Sequence, residues 1–202
     1  MKILKAEYKI SAVSEDKLIN DDILEFAFVG RSNVGKSSLL NALTLKKNLA
    51  RTSSVAGRTQ MVNYFDICAF AQEKQYNFRL VDLPGYGYSK TGKGHQANWS
   101  HLLENYLLSS QKLMTVFLLI DIRVTSSELD KMMIDFLLYH KLPFVIIATK
   151  ADKLSMAQIK KSKSEIAKNL GVRDDIIIPF SSENKLGREK VLELIEGVLY
   201  EN

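Results

Sequence analysis

A glycine-rich run of eight residues carries the clearest chemistry in this sequence: Gly30-Arg31-Ser32-Asn33-Val34-Gly35-Lys36-Ser37. Its two glycines let the backbone bend and approach a ligand without a Cβ in the way. The loop N–H groups and the N-terminus of a following helix would then form a cradle for phosphate oxygens. Lys36 can neutralise β- and γ-phosphates, and the Ser37 hydroxyl can bind Mg²⁺. The spacing Gly-x-x-x-x-Gly-Lys-Ser therefore predicts a phosphate-binding P-loop.

The segments on either side of this run are those that a P-loop requires. Residues 23–29 are mostly apolar and have the length of a buried strand. Residues 38–43 place leucines on one face of a helix. The alternative is a glycine turn beside a surface lysine, but the order strand, loop, helix favours the P-loop.

A second motif, Thr149-Lys150-Ala151-Asp152, comes directly after a buried apolar run. The Asp152 carboxylate can accept hydrogen bonds from both N1–H and the 2-amino group of guanine, a donor pair that adenine lacks. The Lys150 stem can lie along the base. An aspartate that only caps a helix is the alternative; in this context the motif predicts guanine recognition.

A third motif, Asp82-Leu83-Pro84-Gly85, follows the predicted strand segment 78–81. Asp82 would emerge at the carboxyl end of a strand, near the P-loop, where it can hold a water of the Mg²⁺ shell. Gly85 can present its N–H to a γ-phosphate. A simple proline turn is the alternative, but the order of the three motifs along the chain is more specific than any one of them.

Two irregular segments separate these motifs. Residues 46–60 are rich in Ser, Thr, Arg and Gly and are predicted to be a mobile loop, as are residues 83–98. Thr59 is predicted to be the second hydroxyl ligand of Mg²⁺ when γ-phosphate is bound, with Thr52 as a rival candidate. The run Phe180-Ser181-Ser182, after the last predicted strand, is expected to turn a backbone N–H, that of Ser182, towards guanine O6.

The order of predicted elements indicates an α/β fold with a mostly parallel six-stranded sheet, one antiparallel edge strand and helices on both faces. Residues 1–22 are predicted to be an N-terminal arm, and residues 23–202 a single GTPase domain. A capping box at Thr125–Glu128 is predicted to begin a helix that ends near Tyr139, and a second one at Ser155–Gln158 a helix that ends at Gly171.

Composition limits the class of protein. The chain has 202 residues, a net charge of +5 and one cysteine, Cys68, which has no partner for a disulfide or a metal site. No apolar run reaches the roughly 18 residues of a spanning helix, the N-terminus is too charged for a signal peptide, and no prenylation cysteine is present. A cytoplasmic, monomeric protein without a membrane partner is expected. Lys160, Lys161, Lys163 and Lys168 are either RNA contacts or a solvated helix face.

Together the motifs resemble those of TRAFAC-class GTPases, and most closely the EngB (YihA/YsxC) family of ribosome-biogenesis GTPases. The resemblance rests on the P-loop, Gly57-Arg58-Thr59-Gln60, Asp82-Leu83-Pro84-Gly85-Tyr86-Gly87-Tyr88, the Thr-Lys-Ala-Asp run and Phe180-Ser181-Ser182. It implies a Ras-like fold, a Mg²⁺-dependent GTPase that cycles between GTP and GDP, and a role in large ribosomal subunit assembly. A requirement for normal cell division and septation is also implied.

The implied roles can be assigned by residue. Lys36, Thr59, Gly85 and Asn33 are expected to act in catalysis, and Ser37 and Thr59 to bind Mg²⁺. The residues expected to contact nucleotide are Gly30, Arg31, Ser32, Asn33, Val34, Gly35, Lys36, Ser37, Gly57, Arg58, Thr59, Gln60, Met61, Asp82, Leu83, Pro84, Gly85, Thr149, Lys150, Ala151, Asp152, Phe180, Ser181 and Ser182.

The residue after Gly85 predicts slow intrinsic turnover. In Ras this position is the glutamine that orients the attacking water, but here it is Tyr86, which has no side-chain amide. Asn33 is a candidate to hold K⁺ beside the phosphates; the alternative is that it only stabilises the loop. A partner is expected to stimulate hydrolysis. The competing hypothesis for the whole chain is a guanine-nucleotide-sensing binding module with negligible turnover.

Overall fold

The computed structural model describes residues 1–50, 61–87 and 100–201. The described strands are β1 (Lys2–Ala12), β2 (Glu25–Gly30), β3 (Val62–Ala71), β4 (Lys74–Asp82), β5 (Leu113–Asp121), β6 (Phe144–Thr149) and β7 (Ile177–Pro179). The described helices are α1 (Lys36–Thr44), α2 (His101–Ser109), α3 (Glu128–Tyr139), α4 (Met156–Leu170) and α5 (Arg188–Glu201). No helix among these residues is long and apolar enough to cross a membrane.

All described strands form one sheet in the order β1-β3-β4-β2-β5-β6-β7. Strand β3 is antiparallel to both of its neighbours, β1 and β4, and the other ladders are parallel. This arrangement confirms the predicted α/β fold class with a mostly parallel sheet. The antiparallel strand is present, but it does not lie at the edge of the sheet.

The strand count needs a correction, because the N-terminal segment expected as an arm contributes a seventh strand. Residues 2–12 pair along β3 and cover its outer edge. From Lys5 to Ala12 the sequence of β1 alternates polar and apolar residues, although only Ala6 and Ala12 are buried. The charged residues of this segment led to the interpretation as an arm, but charged side chains are common on edge strands. The alternation is the sequence signal for β1 that this interpretation overlooked.

The sheet has a hydrophobic core on each face. Along β2, Phe26 and Phe28 belong to the core shared with α1 and α5, whereas Ala27 and Val29 belong to the core shared with α2, α3 and α4. Because side chains of a strand alternate between faces, β2 is covered on both sides. The predicted helices on both faces are confirmed. The loop after β2 therefore begins at the end of a strand that is buried on both faces.

Helix caps determine where the helices begin. The predicted capping box of α4, Ser155 with Gln158, is confirmed, and α4 ends at Gly171. For α3 the prediction was wrong: the box joins Ser127 and Asp130, not Thr125 and Glu128. Asp130 can fill the third helical position as well as a glutamate does, since its carboxylate reaches the Ser127 backbone N–H at 2.8 Å.

Candidate nucleotide-binding site

The predicted motifs lie together at the carboxyl ends of the parallel strands. The P-loop follows β2, the Asp-Leu-Pro-Gly run follows β4, and the Thr-Lys-Ala-Asp run follows β6. Strand pairing places Phe28 opposite Asp82 and Asp121 opposite Thr149. The carboxyl ends of parallel strands are the usual place for ligands in such sheets, so the topology gathers residues that are far apart in sequence.

The P-loop glycines have distinct structural reasons. A Cβ on Gly30 would lie 2.8 Å from the Leu119 carbonyl oxygen and 2.9 Å from Val34 Cγ1, so no larger residue fits there. Gly35 has a φ of 108°, in the region that favours glycine. Gly35 is also the N-cap of α1, where it offers no side-chain acceptor. The first N–H groups of α1 therefore receive no cap from a Gly35 side chain, and a phosphate can take that place.

Lys36 and Asp82 form the charged centre of the site. Lys36 Nζ lies 3.8 Å from Asp82 Oδ1, and both side chains are largely buried. Asp82 Oδ1 has no hydrogen-bond partner among the described residues. Burial raises the pKa of Asp82, and the nearby Lys36 charge only partly opposes this effect. A buried carboxylate oxygen without a donor is costly, so this position calls for a further donor.

Mg²⁺ with its shell of water fits this arrangement. Asp82 could accept a hydrogen bond from a metal-bound water through its unpaired oxygen, and Ser37, in the first turn of α1, carries a hydroxyl for direct coordination. Magnesium prefers oxygen ligands and keeps several waters. When bound, the ion would neutralise phosphate charge.

The segment after Asp82 approaches the P-loop closely. The Tyr86 N–H donates to the Gly30 carbonyl at 3.3 Å. A Cβ on Gly85 would lie 3.3 Å from both the Gly30 oxygen and Ser32 Oγ. Gly85 therefore sits against the P-loop, where a residue with a side chain would be crowded.

The Thr-Lys-Ala-Asp run is tied to the P-loop by two side chains. Thr149 Oγ1 donates to the Val34 carbonyl at 2.7 Å. Lys150 Nζ donates to the Asn33 carbonyl at 3.0 Å. These contacts fix the position of one loop relative to the other, so a base and its phosphates would meet a single rigid surface.

Asp152 is held by the last loop of the site. Ser181 Oγ donates to Asp152 Oδ1 at 2.8 Å, and Lys153 Nζ lies 3.0 Å from Oδ2. Hydrogen bonds from Lys153 and Ser181 lower the pKa of Asp152. The carboxylate is therefore ionised at neutral pH, as an acceptor of guanine N–H groups must be.

The Phe180-Ser181-Ser182 run folds back on this loop. The Ala151 N–H donates to the Phe180 carbonyl at 3.0 Å, and Ser181 is fully buried. Ser182 is half-buried beside it. The contact of its N–H with guanine O6 stays a prediction.

Several predicted residues lie outside the described part of the chain. These are the Gly57-Arg58-Thr59-Gln60 run, the rival Thr52, and Tyr88. Met61 is described and precedes β3. Nothing structural is therefore added to the expectation that Thr59 binds Mg²⁺.

Two charged residues that the sequence analysis did not single out contact the site. Asp121, the last residue of β5, lies 2.9 Å from Lys150 Nζ. Asp130, in the first turn of α3, accepts a hydrogen bond from the Tyr86 hydroxyl. Asp121 had a detectable signal, because it directly follows a buried strand in the same way as Asp82. Asp130 had no sequence signal beyond its place near the predicted start of a helix.

The fold and the gathered motifs define a P-loop GTPase. A family model described as a 50S ribosome-binding GTPase matches residues 25–150. The probable GTP-binding protein EngB of Desulforamulus reducens is 42% identical over 203 residues, which cover 100% of this chain and 96% of that protein. The chain belongs to the EngB family of GTP-binding proteins.

Solved structures agree on the fold. A crystal structure of a probable GTP-binding protein engB covers 88% of this chain and is itself covered fully, with a TM-score of 0.63 and 20% identity. Era in complex with MgGDPNP and a segment of 16S ribosomal RNA covers 88% of this chain, and 57% of that chain is matched, with a TM-score of 0.66 and 22% identity. At these identities the likeness supports the fold alone.

Proposed function

We propose that this protein binds and hydrolyses GTP with Mg²⁺, and that the nucleotide state controls its part in assembly of the large ribosomal subunit. The observation that carries the proposal is that Lys36, Asp82 and Asp152 lie at one edge of the sheet. Lys36 Nζ is 3.8 Å from Asp82 Oδ1, which has no hydrogen-bond donor among the described residues, and Ser181 holds Asp152. Lys36 faces the phosphates, Asp82 keeps an unpaired oxygen for a metal-bound water, and Asp152 faces the base.

Each part of the site has its own proposed role. The P-loop from Gly30 to Ser37 would bind the phosphates with its N–H groups and with the N-terminus of α1, and Ser37 would hold Mg²⁺ through its hydroxyl. Gly85 is close enough to the P-loop to donate its N–H to the γ-phosphate. Thr59 would complete the Mg²⁺ shell in the GTP state and would be released from it after hydrolysis.

Direct measurement of binding and turnover tests this proposal. Isothermal titration should give binding of GTP and GDP but not ATP, and removal of Mg²⁺ with EDTA should weaken it. Phosphate release at substrate excess should then show slow multiple turnover. A protein that binds ATP as tightly as GTP, or that binds neither, would contradict the proposed function.

A second candidate function is a binding module that senses guanine nucleotides and turns over negligibly. One observation favours it: the Tyr86 hydroxyl is engaged by Asp130 in the interior, so the side chain at the water-orienting position is turned away from the nucleotide site. One experiment distinguishes the two candidate functions. Phosphate release that rises strongly with purified large ribosomal subunits supports the enzyme, and release that stays negligible with them supports the module.

The ribosomal partner is proposed from the family. The matching family model is described as a 50S ribosome-binding GTPase, and the net charge of +5 suits a polyanionic partner. Co-sedimentation with purified large subunits under GDP and under a non-hydrolysable GTP analogue tests the contact. We also propose cytoplasmic localisation, a monomer in solution, and a requirement for normal cell division and septation, which depletion followed by microscopy would examine.

A further inference from the structure

Asp121 occupies a position beside the base-binding loop that the proposed function leaves without a role. It ends β5, and its carboxylate is 13% exposed. Oδ2 lies 2.9 Å from Lys150 Nζ. The same ammonium donates to the Asn33 carbonyl of the P-loop at 3.0 Å. Lys150 is therefore held from two sides, by the P-loop backbone and by the end of a central strand.

The carboxylate is itself fixed in orientation by Arg123. The Arg123 backbone N–H and Nε donate to Oδ1 at 3.1 and 2.9 Å, and Nη2 donates to Oδ2 at 2.8 Å. Burial alone would raise the pKa of Asp121, but hydrogen bonds from Arg123 and Lys150 outweigh it and lower the pKa to about 2. The carboxylate is thus charged and rigid across the physiological pH range.

A lysine in this position needs such an anchor. The Lys150 side chain is 32% exposed, and a free lysine side chain carries about 2 kcal/mol of rotamer entropy. Without a fixed acceptor, this freedom would be lost each time a base settles along the Lys150 stem. A ligand site that is ordered before binding avoids that cost. The backbone at Lys150 is also constrained, with a φ of 61°.

We propose that Asp121 is a positioning residue for guanine nucleotides: it holds the Lys150 ammonium against the P-loop, so that the lysine stem is ready to receive the base. The inference rests on the proposed binding of GTP and GDP. The described side-chain contacts of Asp121 are with Lys150 and Arg123, so its effect should fall on binding of both nucleotides and not on the chemical step.

The test compares Asp121→Asn with Asp175→Asn as the matched control. Dissociation of fluorescent GDP and of a fluorescent non-hydrolysable GTP analogue is measured by displacement. Charge-assisted hydrogen bonds are about twice as strong as neutral ones, so Asp121→Asn should speed release of both nucleotides about tenfold. The KM for GTP should rise accordingly while kcat at saturation stays within about twofold. Asp175→Asn makes the same substitution at an exposed carboxylate that pairs with Arg173 on the surface, so it should change release by less than about threefold.

A double-mutant cycle decides whether Asp121 acts through Lys150. In a Lys150→Ala background, Asp121→Asn should have no further effect on release. Equal effects in both backgrounds, or unchanged release in the single variant, would overturn the proposal. A fall in kcat without a change in KM would overturn it as well. If the unmodified protein binds neither fluorescent nucleotide, the proposed function fails instead, which keeps the two failures distinct.

Discussion

The hydroxyl of Tyr86 donates a 2.8 Å hydrogen bond to Asp130 Oδ1, and both residues are almost completely buried. The other oxygen of Asp130 accepts from the backbone N–H and the hydroxyl of Ser127 at the start of α3. The segment that carries Gly85 is therefore joined to the first turn of α3 through one carboxylate. Burial, the Asp130 charge and this hydrogen bond all raise the pKa of Tyr86, so its hydroxyl stays protonated and keeps donating.

This relationship predicts that Tyr86 contributes to stability and not to the chemical step. Tyr86→Phe keeps the ring in the core and removes only the donor, so the unfolding free energy should fall by about 1–2 kcal/mol. Single-turnover hydrolysis should stay within about twofold of the unmodified protein, because the hydroxyl already points into the core.

Chemical denaturation measures the unfolding free energy, and rapid-quench hydrolysis measures the single-turnover rate. Tyr200→Phe is the control, since Tyr200 is exposed near the C-terminus and should change neither. A collapse of hydrolysis in Tyr86→Phe with nucleotide affinity intact would show that the hydroxyl takes part in catalysis.

Base recognition gives the second prediction. Asp152→Asn should shift preference from guanine to xanthine nucleotides, because an amide offers a donor where xanthine carries a carbonyl. Ser181 already donates to Asp152 Oδ1, so the residue is held in place and the substitution changes chemistry more than geometry. A site with buried polar groups rejects a mismatched partner by several orders of magnitude.

Competition between GTP and XTP measures this shift. The control is Asp175→Asn, which alters an exposed carboxylate paired with Arg173 on the surface. If Asp152→Asn still binds GTP as tightly as before and ignores XTP, the base-recognition assignment is wrong.

Metal coordination gives the third prediction. Ser37→Ala removes the proposed hydroxyl ligand and should lower the apparent Mg²⁺ affinity in the presence of either nucleotide by at least about tenfold. Thr59→Ala should weaken the GTP state more than the GDP state. Ser38→Ala is a close control, since Ser38 is the next residue of α1 and has a similar degree of burial. Mg²⁺ titrations of nucleotide affinity that give equal results for Ser37→Ala and Ser38→Ala would count against Ser37 as a ligand.

The features that could be predicted from the sequence are those that depend on short local motifs. Gly30, Gly35, Lys36 and Asp152 were recognisable because each belongs to a short motif whose spacing serves one chemistry. The P-loop context also predicted β2 and α1. The fold class followed from alternating strands and helices, and the parallel sheet then brought the motifs together without further information.

What the sequence did not reveal depends on long-range contacts. Tyr86 and Asp130 are separated by 44 residues, and nothing in their spacing indicates a hydrogen bond. Strand β1 alternates polar and apolar residues from Lys5 to Ala12, but its place in the sheet depends on pairing with residues 62–70 of β3. Arg79 is similar: it is 1% exposed yet carries a charge, and only the folded chain brings Asp21 and Asp66 to it.

The Arg79 cluster gives the fourth prediction, which concerns pH. Arg79 makes two 2.7 Å hydrogen bonds to Asp21 and lies 3.6 Å from Glu25. Burial raises the pKa of Glu25 above 4.5, although hydrogen bonds from Ser110 and Tyr106 oppose the effect. Hydrogen bonds from Arg79 lower the pKa of Asp21 below 3.8. The two carboxylates around one guanidinium therefore affect stability in opposite ways.

The direction in which each carboxylate changes stability with pH depends on whether the folded or the unfolded chain binds its proton more tightly. Glu25 contributes stability that is fully present below pH 4.5 and is lost as pH rises through its raised pKa. Asp21 contributes stability that is present above pH 3.8 and is lost as pH falls through its lowered pKa. Relative to the unmodified protein, Glu25→Gln should gain stability towards neutral pH and Asp21→Asn should lose it. Urea unfolding from acid to neutral pH measures the unfolding free energy of both variants. If that free energy changed with pH in the same direction in Glu25→Gln and Asp21→Asn, the opposite roles of the two carboxylates would be contradicted.

The fifth prediction concerns the hydrolytic step, where Tyr86 leaves the water without a side-chain amide. Asn33 has a φ of 63° and an exposed side chain, and its backbone carbonyl receives Lys150. The hydrogen bond from Lys150 is thus made to the main chain of Asn33, which leaves its side-chain amide to be tested as an ion ligand. A K⁺ ion held there beside the phosphates would offset charge as an arginine finger does.

We therefore expect single-turnover hydrolysis to be about tenfold faster in KCl than in NaCl at equal ionic strength, as for other preorganised charges near a phosphoryl group. Asn33→Ala should remove the difference and leave the slower rate. Asn48→Ala is the control, because Asn48 is also exposed but lies beyond α1. Equal rates in the two salts would eliminate K⁺. A salt preference that persists in Asn33→Ala would place the ion at another ligand.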